Sequence, residues 1–146
     1  MKRWTVLALV FVAGCAASPA PDAADAPVES WEPVAVNEFN ARIDSAVASD
    51  AAWPSSPLSI ALEFLGGDAG ARRFTVDQRR NRAEAADTTV IVIVRDGLLD
   101  DSVRGDRHRI VLRRLADRTW RVQEVLRAFR CQRGHHLDAY SSEWCP

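Results

Sequence analysis

The chain has three histidines, whose side chains could bind a metal or take part in catalysis. All three lie late in the sequence, at His108, His135 and His136. Imidazole is the commonest transition-metal ligand in proteins, and Asp138 or Glu143 could add carboxylate oxygens. Adjacent histidines on a short loop rarely converge on one ion, and no His-x-x-x-His or similar spacing is present. The pattern therefore favours a solvated or hydrogen-bonded histidine pair, and we assign no metal ligand.

The same stretch contains the residue types of a hydrolase triad, with Ser141 and Ser142 close to His135 and Asp138. These residues all lie on one short segment. No strand-to-helix nucleophile turn or oxyanion donor site accompanies them. We therefore predict no catalytic residue, no enzymatic activity and no cofactor.

Acidic residues cluster between two predicted strands, where calcium would find oxygen ligands. Their spacing does not match the Asp-x-Asp-x-Asp-Gly loop, and neighbouring arginines offer charge partners. A salt-bridged turn is the favoured interpretation. The acidic residues are Asp96, Asp100, Asp101 and Asp106, and the arginines are Arg104 and Arg107.

Basic residues after Lys2 are all arginine, and many fall on predicted strands. Along 108–115, Arg109 and Arg113 alternate with apolar residues, as on the solvated face of an antiparallel sheet. The alternative is a basic patch for anionic lipid, lipopolysaccharide or glycan. With 19 basic and 20 acidic residues, the chain has no basic excess, so we expect no nucleic-acid partner.

The N-terminus has the layout of an export signal: positive residues 1–3, an apolar run over 4–12, then small residues up to Cys15. The run is about half the roughly 20 residues that a spanning helix needs. The sequence Val-Ala-Gly-Cys at 12–15 resembles the lipobox of bacterial lipoproteins. The resemblance implies acylation of Cys15, cleavage after Gly14, and anchoring in the bilayer through the acyl chains. Ala16 then implies sorting to the outer membrane, with the protein facing the periplasm.

Lipid on Cys15 leaves Cys131 and Cys145 as a pair. Export would place this pair in an oxidising compartment, and the sequence predicts a disulfide. A free redox pair and two metal ligands are the alternatives, although the spacing is not that of a C-x-x-C motif or a zinc knuckle.

The domain organisation follows from composition. We predict a signal peptide over 1–14, a lipidated disordered tether over 15–33, and one globular domain over 34–146. A helix over 37–49 with Asn37 as N-cap precedes 57–65, which fits either a helix capped by Ser56 or a strand. Strands are expected at 73–80, 88–95, 108–115 and 119–129, with a long turn over 98–106. The predicted fold is α+β: one or two N-terminal helices packed on a four-stranded antiparallel meander, with a disulfide-closed C-terminal loop.

This order of elements, ending in Trp120-Arg121-Val122, resembles small cystatin-like or nuclear-transport-factor-like domains. The segment CQRGHHLDAYSSEWC at 131–145 resembles that of an uncharacterised family of proteobacterial lipoproteins, which implies location and fold only. We therefore expect a non-enzymatic interaction or accessory domain of the cell envelope, with an envelope protein as partner. The alternative is a periplasmic module that binds a small ligand in a pocket between helix and sheet.

Overall fold

Two helices lie against one face of an open antiparallel sheet of five strands, in a computed structural model that describes residues 24–146. The predicted signal peptide, Cys15 and the first part of the predicted tether lie outside the described residues. The order across the sheet is β1-β5-β4-β3-β2. The strands are β1 (Glu32–Pro33), β2 (Arg73–Arg80), β3 (Thr88–Asp96), β4 (Val103–Arg114) and β5 (Trp120–Cys131).

The α+β prediction is confirmed, but the predicted count of four strands is wrong. The additional strand, β1, has only two residues and pairs antiparallel with β5 through Arg127 and Leu126. A strand this short has no alternation that a sequence pattern could reveal, because at least four residues are needed to show a period of two.

The first helix, α1, spans Asn37–Ala48 and buries Phe39, Ile43 and Ala46. It has Val36 at the N-cap position and no side-chain cap, so the prediction that Asn37 caps it is wrong. Asn40, three residues after Asn37, forms hydrogen bonds through its side chain with the backbone of β5.

The second helix, α2, spans Pro57–Leu65, so the helical alternative for 57–65 is confirmed. The hydroxyl of Ser56 accepts a hydrogen bond from the Ser59 amide at 3.2 Å, and Pro57 occupies the first turn. Gly66 ends the helix with φ 68°, a left-handed conformation that glycine adopts without steric cost.

Between helices and sheet lies an apolar core built by strand alternation. On β3 and β4, Ile91, Ile93, Ile110 and Leu112 all point toward the helices and are fully buried. They pack with Ile43 of α1 and with Ile60 and Ala61 of α2. A cavity of about 220 Å³ is lined by Pro57 of α2, Thr89 of β3 and Trp120 of β5.

The fourth strand begins at Val103, so part of the turn predicted over 98–106 is strand. Its polar start, Val-Arg-Gly-Asp-Arg-His, carries no strand pattern. Pairing with both neighbouring strands, β3 and β5, holds it in the sheet. The register with β5 shifts between Val103 and Gly105. A Cβ at Gly105 would lie 2.5 Å from the Arg95 carbonyl oxygen, so the close approach of β3 requires glycine here.

Residues 24–33 were predicted as part of the tether, but 24–31 lie on the sheet face opposite the helices and Glu32–Pro33 forms β1. Ala26 is 2% exposed, and Val28 forms a parallel bridge with Tyr140. The Glu29 amide donates to the Tyr140 carbonyl at 2.8 Å, and the Tyr140 amide donates to the Pro27 carbonyl at 2.8 Å. Within residues 24–146 no helix is long and apolar enough to cross a bilayer.

Candidate functional sites

One disulfide and backbone hydrogen bonds at two places fix the C-terminal segment to the sheet. A disulfide joins Cys131 to Cys145, as predicted. Phe129 and Ser141 exchange both backbone hydrogen bonds, at 2.7 and 2.9 Å. The Cys131 amide also donates to the His136 carbonyl at 3.1 Å. These bonds hold the histidine loop in one shape.

The histidine pair does converge, contrary to what the spacing indicated. His136 has a left-handed backbone with φ 52°, and its ring meets that of His135 edge to face with centroids 4.6 Å apart. The Nε2 atoms of His135 and His136 lie 3.7 and 3.1 Å from Oε2 of Glu143. Two imidazoles and a carboxylate therefore share one small volume, and their ligand atoms all lie within 4.8 Å of one another.

Glu29 completes this cluster from a distant part of the chain. Its Oε2 lies 2.9 Å from Nδ1 of His136, so both ring nitrogens of His136 face carboxylates. The hydrogen bond with Glu143 raises the pKa of His136; partial burial opposes this, and the charge of Glu29 adds to it. Glu29 lies in the segment predicted as tether, where no sequence signal marked it as a site residue.

The hydrolase residue types are not assembled in the part of the chain that the structure describes. Ser141 is buried, and its hydroxyl lies 3.0 Å from that of Ser30. Asp138 is 95% exposed and lies 3.7 Å from the Arg130 guanidinium. Neither contacts His135 among the described hydrogen bonds and ion pairs.

The four acidic residues around the β3–β4 connection do not share one site: Asp96 and Asp106 lie on opposite faces of the sheet, and Asp100 and Asp101 lie in the turn. Asp106 faces the helix side and is held by Arg95 through two bonds of 2.6 and 2.9 Å. Asp96 lies on the opposite face, 3.5 Å from Arg104. Asp100 accepts the amides of Ser102 and Val103, which lowers its pKa. Asp96, Asp100 and Asp106 are thus engaged with arginines or backbone amides.

The sheet face opposite the helices carries arginines beside a row of valines. Arg107 and Arg109 of β4 alternate there with the core-facing residues, across from Val94 and Val92 of β3. Arg109 pairs with Glu124, and Arg107 donates to the Ala26 carbonyl at 3.1 Å. The arginines therefore form the solvated face that alternation predicted, with apolar residues between them.

A groove of about 450 Å³ runs over this face, and we call it the arginine–valine groove. Its floor is Val90, Val92 and Val94, and one wall is the segment at Ala24 and Asp25. The remaining lining residues are Thr75, Asp77, Arg79, Arg107 and Arg109. It combines an apolar floor with charges of both signs at its rim.

No protein-family model, curated protein or solved structure gives a significant match to this chain.

Proposed function

We propose that this chain is a lipoprotein of the cell envelope, anchored through Cys15 and facing the periplasm from the outer membrane. Its folded domain would act as a non-enzymatic interaction module, with the arginine–valine groove as the surface that receives an envelope protein. The observation that carries the proposal is that the groove is walled by Ala24 and Asp25, where the chain arrives from Cys15.

The distance to the proposed anchor is short. Ala24 lies nine positions after Cys15 (24 − 15 = 9). An extended chain of that length spans at most about 30 Å. Residues 24–33 belong to the folded domain, so the tether would extend only from Cys15 to Ala24 and not to residue 33. This shorter tether would hold the groove near the membrane surface.

The disulfide supports the exported location. Cys131 and Cys145 are joined and almost fully buried, and such bonds persist in oxidising compartments. The chain has three cysteines, so the pairing leaves Cys15 available for lipid.

The lining of the groove indicates what kind of protein segment it would bind. The half-buried Val90 and Val92 offer apolar contact. Arg109 at the rim contacts Glu124 through Nη1, and its planar guanidinium would share its remaining N–H groups with a carboxylate of the partner. We propose an extended segment with an apolar side chain and a neighbouring carboxylate. The groove, with about 450 Å³, is larger than the cavity of about 220 Å³ lined by Pro57, Thr89 and Trp120, and this supports the groove over an internal pocket for a small ligand.

The finer fold assignment is also proposed, as an architecture of the cystatin-like or nuclear-transport-factor-like kind. The order of two helices followed by an antiparallel meander supports it. Such architectures host many functions, so the assignment says nothing about activity.

Site-specific photocrosslinking in cells that naturally make the protein tests the groove. A photoreactive residue at Thr75, inside the groove, should capture one defined envelope protein. The same residue at Val76, which is exposed on the opposite face of the same strand, should not. Arg109→Glu should abolish the capture, whereas Arg42→Glu on α1 should not. Equal capture from Thr75 and Val76, or none, would overturn the groove as an interaction surface.

Anchoring is tested separately. Mass spectrometry of the mature N-terminal peptide should find Cys15 carrying acyl chains, and Cys15→Ser should release the protein from the membrane fraction. An unmodified Cys15 in the mature protein would overturn the lipoprotein proposal and leave the crosslinking result unaffected.

A further inference from the structure

We propose that the C-terminal loop binds a divalent transition-metal ion of the zinc type. Its ligands would be Nε2 of His135, Nε2 of His136 and the carboxylate of Glu143, with Glu29 orienting His136. This site is independent of the anchor and of the arginine–valine groove.

The distances from the Glu143 carboxylate to the two imidazoles are close to the spacing that such an ion needs. Zinc bound to imidazole nitrogen and carboxylate oxygen at about 2.0–2.2 Å in a tetrahedron places neighbouring ligand atoms about 3.3 Å apart. The carboxylate oxygen of Glu143 lies 3.1 Å from His136 Nε2 and 3.7 Å from His135 Nε2. All three ligand atoms lie within 4.8 Å of one another, and the side chain of His135, which is 45% exposed, would have to turn to bring its nitrogen to the ion.

Glu29 supplies the outer partner that metal-binding histidines commonly have. A histidine ligand usually donates its second ring N–H to a carboxylate or carbonyl, which fixes the tautomer and the ring plane. Here Nδ1 of His136 lies 2.9 Å from Oε2 of Glu29, so this carboxylate would accept a proton carried on Nδ1. An ion bound at Nε2 would then replace the hydrogen bond between Nε2 and Glu143 and release any proton on Nε2. A merely solvated histidine would need no such partner.

A disulfide and two hydrogen bonds hold the loop that carries the proposed ligands. The disulfide fixes Cys145, two residues after Glu143, to the end of β5. The Glu143 amide donates to the Ser141 hydroxyl at 3.2 Å, and the His136 carbonyl accepts from the Cys131 amide. The left-handed backbone of His136 is a conformation uncommon outside glycine, and such strain concentrates at functional positions.

The donor set identifies the class of ion. Two imidazoles and one carboxylate suit zinc and neighbouring first-row ions, whereas calcium and magnesium prefer all-oxygen sites. Glu143 is 70% exposed, so the set is open to solvent and leaves a fourth position for water.

Calorimetric titration of the purified, disulfide-oxidised, metal-free protein with Zn²⁺ tests the proposal. We expect one ion per chain with a dissociation constant in the micromolar range or below, and no heat with Ca²⁺. Co²⁺ should give the visible absorption of a tetrahedral site with nitrogen and oxygen ligands.

Variants of the cluster distinguish this site from general surface binding. His135→Ala and Glu143→Gln should each weaken zinc binding at least tenfold, and Glu29→Gln should weaken it about 10–100-fold without changing the stoichiometry. Asp138→Asn, an exposed carboxylate on the same loop, should have no effect. His136→Asn should leave the fold intact, because asparagine tolerates the left-handed backbone at this position. It should abolish tight zinc binding, because it removes the imidazole ligand.

The proposal is overturned if no zinc binds below about 100 µM, or if His136→Asn binds as tightly as the parent while its circular dichroism is unchanged. Equal losses in Asp138→Asn and Glu143→Gln would also overturn it, because they would indicate diffuse attraction to surface carboxylates.

Discussion

The carboxamide of Asn40 on α1 makes both hydrogen bonds that a neighbouring strand would make to Val122 of β5. Its nitrogen donates to the Val122 carbonyl at 2.9 Å, and its oxygen accepts from the Val122 amide at 3.0 Å. The two-residue β1 covers this edge only near Arg127 and Leu126. Asn40 therefore protects the strand edge beyond the point where β1 ends.

We predict that Asn40→Ala lowers the free energy of unfolding by at least about 2 kcal/mol. Val122 is 2% exposed, so truncation leaves a buried donor and a buried acceptor unpaired. Urea unfolding followed by tryptophan fluorescence measures the change. Ser45→Ala, on the exposed face of the same helix, should stay within about 0.5 kcal/mol of the parent. Equal stability of the two variants would contradict this account of the edge.

The second prediction concerns Asp106, the centre of a buried charge layer beside the apolar core. Burial alone would raise its pKa, but the neighbouring His108 side chain and the hydrogen bonds and charge of Arg95 outweigh burial and lower it. The folded state thus binds the proton more weakly than the unfolded state. The stabilising contribution is complete above the ordinary carboxyl pKa and is lost as pH falls through the lowered value.

Asp106→Asn should remove this acid-dependent part of the stability and should lower stability at neutral pH by about 3–5 kcal/mol, because Arg95 would remain buried without its partner. Urea midpoints measured from neutral pH down to about pH 2 give both effects. Asp101→Asn, an exposed carboxylate on the neighbouring turn, should keep the parent profile. An unchanged acid profile in Asp106→Asn would contradict the assignment.

The third prediction concerns the disulfide, which closes a loop with a sequence separation of 14. Loop-closure entropy for a loop of this size amounts to about 3 kcal/mol. Reduction, or the double replacement Cys131→Ala with Cys145→Ala, should lower the free energy of unfolding by about 2–4 kcal/mol in urea. Agreement between the two routes is the control, since reduction introduces no new side chain. A loss below about 1 kcal/mol by both routes would show that the loop is held by its backbone bonds alone.

Regular elements with a strong local signal could be predicted from the sequence. The β-branched run of β3 and the capped α2 have patterns that their own residues determine. The start of β4 at Val103 and the placement of residues 24–33 could not be predicted, because long-range partners decide both. Pairing with β3 and β5 holds the polar start of β4, and Tyr140 holds the segment around Val28.

Only part of the candidate metal site could be predicted from the sequence. His135, His136 and Glu143 lie close together in the sequence, and their residue types suggested an ion. Their convergence depends on a left-handed backbone at His136, which no composition or spacing indicates. Glu29 comes from the other end of the domain, so its role follows only from the tertiary fold.

The last prediction concerns Tyr140, the only tyrosine in the chain and fully buried. Its hydroxyl has no hydrogen-bond partner among the described residues. Burial, with a further contribution from the charge of Asp96, raises the pKa of Tyr140 to about 12. The folded state therefore keeps this proton where an unfolded chain, with a pKa near 10, would lose it.

Stability should accordingly be complete below about pH 10 and should fall between about pH 10 and pH 12, by up to about 3 kcal/mol from this group. Because the chain has one tyrosine, its tyrosinate absorbance reports this group directly, and the folded protein should titrate near pH 12. Tyr140→Phe keeps the ring and removes an unpaired hydroxyl. It should be as stable as the parent at neutral pH and should lack the alkaline loss that Tyr140 causes. A titration midpoint near pH 10 in the folded parent would show instead that the hydroxyl reaches water, and the loss of stability above that pH would then be the same in both proteins.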